Sequence, residues 1–216
     1  MLKPLALLLV FTTAAFAEDK PKFELPKPDA DGKISVFNGK DLTGWYGDTN
    51  LFKVDNGEIV GKTEKGIKQN EFLKSQFEVA DFRLVLQIKL VPNSANSGVQ
   101  FRSIPFKGNE MKGYQADAGQ GWWGKLYEES GRGLLVKEGG EQWLNKDDWN
   151  TYEVVAVGHH ILTAINGHKC VDIDDPQGAA SGMLGLQVHA GGPTEVRFKD
   201  LKLELNPKAE LTTVRK

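Results

Sequence analysis

Residues 96–132 read NSGVQFRSIPFKGNEMKGYQADAGQGWWGKLYEESGR. In Val99-Gln100-Phe101-Arg102, apolar and polar side chains alternate, and Tyr114-Gln115-Ala116-Asp117 repeats the pattern. Successive side chains of a strand point to opposite faces of its sheet. Each segment therefore predicts a strand with one core face and one polar face. If the two strands are neighbours, Gln100, Arg102, Gln115 and Asp117 line one patch, with Asn96 at its margin. Trp122, Trp123, Tyr127, Glu128 and Glu129 follow at once. Rings cover the apolar faces of pyranoses, and amides, cations and carboxylates hold the hydroxyls, so these are the materials of a sugar-binding groove. The plainer alternative is a solvated sheet face beside a glycine-rich loop.

Outward from this stretch the strand signal continues. Phe82, Leu84, Leu86, Ile88 and Leu90 alternate with Arg83, Val85, Gln87, Lys89 and Val91. Pro92 ends that strand, because proline cannot donate to a ladder. Asn56-Gly57 and Asn166-Gly167 each sit between apolar runs, the strongest short-range hairpin signal. Tyr152, Val154 and Ala156 alternate with Glu153, Val155 and Val157. Leu184, Leu186 and Val188 oppose Gly185, Gln187 and His189. A last strand covers Glu195 to Asn206, with a bulge expected at Lys199-Asp200. No long helical periodicity appears. Many short strands with frequent turns predict an all-β fold, a two-sheet antiparallel jelly-roll sandwich.

The 216 residues suffice for one domain with a full core. Net charge is −2, which argues against nucleic acid or an anionic membrane surface as the main partner, since both want a basic protein. Residues 1–17 have the form of a signal peptide: Lys3, an apolar run from Leu5 to Phe11, and Ala15-Phe16-Ala17 as cleavage site. The apolar run is too short to span a bilayer, so no membrane insertion is expected after cleavage. This reading predicts export, to the periplasm or outside the cell. Residues 18–33 carry Pro21, Pro26 and Pro28 among charges and read as a poorly ordered linker. The sandwich domain is expected over 34–206, followed by a frayed polar tail over 207–216. Cys170 is the single cysteine and reads as a small buried apolar residue.

Phosphate loops, dinucleotide fingerprints, zinc-protease motifs and nucleophile elbows are all missing from the sequence. His159, His160 and His168 fall at hairpin ends. His189 ends a strand on the face of Gln187 and opens into Ala190-Gly191-Gly192-Pro193, a suitable place for a general base, with a satisfied structural histidine as the plainer alternative. Glycosidases work with paired carboxylates, for which Asp117, Glu128, Glu129 and Glu153 are the options. The E-x-D-x-x-E run of retaining sandwich glucanases is absent, which speaks against plain double displacement. Glu153 has the alternative of a structural acceptor. Asp172, Asp174 and Asp175 form an acidic turn that offers oxygen ligands to Ca²⁺, or simply a solvated cluster.

The sequence resembles a known family. Val36-Phe37-Asn38-Gly39-Lys40-Asp41-Leu42-Thr43-Gly44-Trp45, Asn96 to Arg102, Gly113 to Asp117, Trp149 to Glu153, Asn166-Gly167 with Val171-Asp172, and Gly185 to His189 are similar, in order, to the motifs of the domain of unknown function 1080. That family is also called the 3-keto-disaccharide hydrolase domain. The resemblance runs from about residue 34 to 205. It implies a concanavalin A-like sandwich, bacterial export, and cleavage of 3-keto-glycosides by hydrolysis or 1,2-elimination. On that implication His189 or Asp117 is the base, Arg102 with Gln115 or Gln187 steadies an enolate, and Glu128 is the acid. Trp123 and Tyr127 stack on the sugar, beside Gln100 and Asn96. A divalent ion taking part of Arg102's role is the variant of this scheme. Gly121 to Ser130 departs from the commoner family pattern. The rival expectation is a non-catalytic glycan-binding module on the same sandwich; a protein adhesion domain would instead show a flat polar face without a pocket.

Overall fold

Both Asn-Gly pairs form the tight turns that their sequence demands. Asn56 and Gly57 have φ of 51° and 79°, and Asn166 and Gly167 have 50° and 82°. Positive φ at both central residues matches the right-handed twist of the flanking strands. These hairpins belong to a computed structural model that describes residues 23–214. The signal segment expected over 1–17 lies outside the described residues.

The strands in chain order are β1 (Ile34–Ser35), β2 (Trp45–Tyr46), β3 (Phe52–Asp55), β4 (Glu58–Thr63), β5 (Glu71–Val79), β6 (Phe82–Val91), β7 (Asn96–Pro105) and β8 (Met111–Gly119). They continue with β9 (Leu126–Glu129), β10 (Gly133–Val136), β11 (Asn150–Val157), β12 (His160–Ile165), β13 (His168–Asp174), β14 (Gly182–Val188) and β15 (Thr194–Leu205). One sheet runs β13-β12-β11-β6-β15-β4-β3, with β1 on the far half of β15. The other runs β10-β9-β8-β7-β14-β5-β2. Every pairing is antiparallel. The chain is thus an all-β, two-sheet antiparallel sandwich. Among the described residues no helix is long and apolar enough to cross a membrane.

The core lies between the sheets. Phe82, Leu84, Leu86, Ile88 and Leu90 of β6 face Val99 and Phe101 of β7, Ala116 of β8 and Leu186 of β14 within one buried cluster. Apolar burial of this kind is the dominant stabilising term. It also leaves the opposite face of β7, β8 and β14 free to carry polar groups.

Two terminal expectations need correction. The segment 23–33 is not a loose linker: Phe23 and Leu25 pack on the core, and the Phe23 ring lies 6.1 Å from that of Phe77. The tail over 207–214 is docked rather than frayed. Thr212 and Thr213 donate backbone N–H and hydroxyl hydrogens to the fully buried Glu153 carboxylate at 2.6–3.1 Å. Arg83 pairs with the same carboxylate at 3.1 Å and donates to the carbonyls of Lys208 and Glu210. A buried carboxylate needs such partners, and the polar tail supplies them. Glu153 is therefore the structural acceptor, not a catalytic acid.

Candidate active site

Register creates the polar face. Gln100 pairs across with Gln115, Gly98 with Asp117, and Gly185 of β14 with Gln100. Gln100, Gln115, Asp117 and Gln187 therefore emerge together on the outer side of the second sheet. They are nonetheless at most 3% exposed. The loop between β7 and β8 reaches across β14 to β5, where Lys74 Nζ donates to the Asn109 carbonyl at 2.7 Å and Asn109 Nδ2 to Glu71 Oε1 at 3.1 Å. Phe72 and Met111 are buried as well.

A chain of side-chain hydrogen bonds ends on Asp117. Ser103 Oγ donates to Gln100 Oε1 at 2.6 Å, and Gln100 Nε2 donates to Gln115 Oε1 at 3.1 Å. Gln115 Nε2 donates to Asp117 Oδ1 at 2.8 Å and to Gln187 Oε1 at 3.4 Å. Gln115 lies flat over Gly98, where a Cβ would stand 2.7 Å from its Cγ and Cδ. Asp117 Oδ2 and Gln187 Nε2 are left buried with no hydrogen-bond partner. Buried polar atoms are rarely left so, and in a cleft such atoms are poised for a ligand.

A cavity of about 250 Å³ opens on Asp117 and Gln115. Asn70, Asn96, Trp122, Tyr127, Glu129 and His189 complete its lining. The Trp122 and Tyr127 rings meet edge to face, centroids 6.1 Å apart. Burial pushes the Asp117 carboxyl up to about 7; Gln115 opposes this, and the charge of Glu129 adds to it. Burial, with the charge of Glu110 behind it, also raises Glu129. Removing a carboxylate from water disfavours its charged form. The Nδ1 of His189 is 2.6 Å from the Ala190 carbonyl. A carbonyl only accepts, so Nδ1 carries a hydrogen, which leaves Nε2 as the nitrogen that can take up or give a proton. The loop that follows is pinned where the Ala190 N–H donates to Asn70 Oδ1 at 2.8 Å.

Of the residues singled out in the sequence, Asn96, Gln115, Asp117, Tyr127 and His189 converge on this cavity. Gln100 and Gln187 stand behind it as supports. Three do not reach it. Arg102 sits in a bulge at φ 46°, where the β7–β8 register slips, and the slip turns its side chain off the polar face. It donates instead to the carbonyls of Ala80 and Gly158 at 2.8 and 2.7 Å and pairs with Asp81 at 3.1 Å, tying two turns together. Trp123 is 2% exposed, with Nε1 donating to Asn93 Oδ1 at 2.8 Å; its neighbour Trp122 carries the ring at the cavity. Glu128 pairs across with Tyr114, on the inward-facing side of β9, and is held by Arg132. Glu129 replaces it, because Gln115 pairs with Tyr127 and odd-numbered residues of β9 face outward. That alternation was present in the sequence. Asn70, brought in by the chain before β5, gave no sequence signal.

The acidic turn is spent elsewhere. Arg132 donates twice to Asp175, at 2.6 and 2.9 Å, and Tyr114 once at 2.5 Å, while Asp172 holds His160 and Lys169. Among the described residues no three His, Cys, Asp or Glu side chains are grouped so as to hold a metal ion.

The chain belongs to the family of the 3-keto-alpha-glucoside-1,2-lyase-like domain, whose model matches residues 32–204. That membership ties it to carbohydrate-related function. Solved structures share the fold. A candidate glycosyl hydrolase from Parabacteroides distasonis is 20% identical with a TM-score of 0.63, over 82% of this chain and 95% of that one. The carbohydrate-binding module CBM66 from Bacillus subtilis is 18% identical with a TM-score of 0.57, over 74% and 95%. The kappa-carrageenase of Pseudoalteromonas carrageenovora, solved with a kappa-carrageenan oligosaccharide, is 14% identical with a TM-score of 0.55, over 89% and 99%. No curated protein matches the sequence.

Proposed function

We propose that the cavity cleaves 3-keto-glycosides by 1,2-elimination, with Asp117 as the base. The observation that carries this reading is a buried carboxylate oxygen, unpartnered and raised to about 7, beside aromatic rings and a histidine with a free nitrogen. A general base works best with a pKa near the operating pH. A ketone at C3 acidifies the hydrogen on C2. Asp117 Oδ2 takes that proton, and the C2–H electron pair moves into a C2–C3 enolate with its charge on the C3 oxygen. The amide N–H group of Asn96, which lines the cavity, takes Arg102's place as a donor for that charge. The pair then returns: C3=O reforms, C1=C2 forms, the C1–O bond breaks, and the leaving oxygen takes a proton. Glu129 and His189 are the two groups at the cavity able to give it. Water added across C1=C2 completes a net hydrolysis; without that step the protein is a lyase.

The leader-like residues 1–17 support export, to the periplasm or beyond the cell. The glycan-binding alternative draws on Trp122, which is 37% exposed at the cavity mouth. Purified protein incubated with a 3-keto-glucoside separates the two. The elimination reading expects turnover, lowered about 10²–10⁴-fold in Asp117→Asn. Saturable binding of the sugar without turnover supports the binding module instead.

A further inference from the structure

A second cavity, of about 580 Å³, adjoins the first and shares Asn96, Trp122 and His189 with it. The two therefore form one groove with a junction at these three side chains. Their linings differ in chemistry. Asp117 and Glu129 line only the smaller cavity. The larger is lined by Pro92, Ala95, Pro193, Gln120, Ser94 and Thr194 among others, with His189 as its sole ionisable side chain. Lys125 lines neither; its ammonium lies over the Trp122 ring, 5.2 Å from the centroid.

Given the eliminative cleavage proposed above, the geometry points to a division of labour along this groove. The keto-sugar ring occupies the acidic cavity, and the leaving group, a neutral sugar or neutral alcohol of similar size, occupies the uncharged one. The scissile C1–O bond then crosses the junction. Proline rings offer C–H faces to a pyranose, and Gln120, Ser94 and Thr194 offer hydroxyl partners. No fixed charge is there to meet a carboxylate or phosphate, and burying an unpaired charge is costly. Of the two proton donors left open, His189 is the one at the junction. Glu129 is confined to the sugar cavity, where it meets ring hydroxyls. Protonated at Nε2, His189 gives that proton to the glycosidic oxygen as the C1–O bond breaks, while Asp117 receives the C2 proton. The alcohol leaves neutral, and solvent resets both groups.

The test uses the full-length protein and three substrates: 4-nitrophenyl 3-keto-glucoside, methyl 3-keto-glucoside and 3-keto-trehalose. A nitrophenolate leaves without a proton, whereas methanol and glucose do not. The role of His189 predicts that His189→Gln lowers kcat at least about 100-fold on the methyl glycoside, and by less than about tenfold on the nitrophenyl one. Surviving nitrophenyl turnover also shows that the variant folds. The seat of the leaving group predicts that Ser94→Trp raises KM for 3-keto-trehalose about tenfold more than KM for the methyl glycoside. A 3-keto-disaccharide whose leaving sugar is a uronate should be a poorer substrate than 3-keto-trehalose. Equal losses on methyl and nitrophenyl substrates in His189→Gln, or no loss on either, overturn the acid role. An unchanged KM ratio in Ser94→Trp, or a preferred uronate, overturns the neutral seat. Turnover of none of the three by the wild type refutes the elimination itself, which is a different result from turnover with the wrong pattern.

Discussion

Asp117 is where stability and reactivity pull apart. Its carboxyl, ordinarily near 3.8, stands at about 7 in the folded chain because burial disfavours the anion. The folded state therefore binds this proton more tightly than the unfolded one. Stability from this group is fully present below about pH 4, declines as pH rises to about 7, and is level above that. Asp117→Asn should thus raise the melting temperature at pH 8 while changing it little at pH 4, and thermal scans at the two values check this. The same variant should lose most activity. In the wild type kcat/KM on 4-nitrophenyl 3-keto-glucoside, whose leaving group needs no proton, should climb with pH through about 7, as the base loses its proton. Arg102 makes the opposite prediction. Its three polar contacts tie turns and touch no part of the cavity. Arg102→Ala should cost about 2–3 kcal/mol, or roughly 5–10 °C in melting temperature, with kcat close to wild type. Loss of kcat without loss of stability would return Arg102 to the mechanism.

At the scale of elements, period-two alternation anticipated which polar side chains the second sheet gathers at the candidate site. It placed Gln100, Gln115, Asp117 and Gln187 on one face because β7, β8 and β14 keep register there. It failed at Arg102, since a bulge is a break in period that side-chain identity does not announce: nothing in Phe101-Arg102-Ser103 required φ of 46°. It misplaced Trp123 and Glu128 by one residue each, because the turn before β9 sets its phase and short strands give too few residues to fix it. The docked tail was also unreadable. Its lure is Glu153, buried in β11, and no local pattern of 207–214 points to so distant a carboxylate. Deleting residues 207–216 should destabilise the sandwich by about 2–4 kcal/mol by stripping hydrogen bonds from a buried charge. Urea unfolding measures it; an unchanged midpoint would show that the tail is passive.

Across the whole molecule, the two sheets divide the work. The inward faces bury the apolar cluster that fixes the fold, and the outward face of the second sheet carries the amide chain, the acidic cavity and the uncharged one beside it. Similar sandwiches in solved structures belong to enzymes and to a binding module alike, so the architecture does not choose between them; the site does. The choice rests on a proton leaving C2. The most direct measurement is proton NMR of methyl 3-keto-glucoside turned over in D₂O, before the substrate itself has exchanged. The elimination account predicts methanol release together with a keto-sugar product carrying no protium at C2, as either the enone or its deuterated hydrate. Methanol release with C2 protium retained in the product, or no methanol at all, would contradict it.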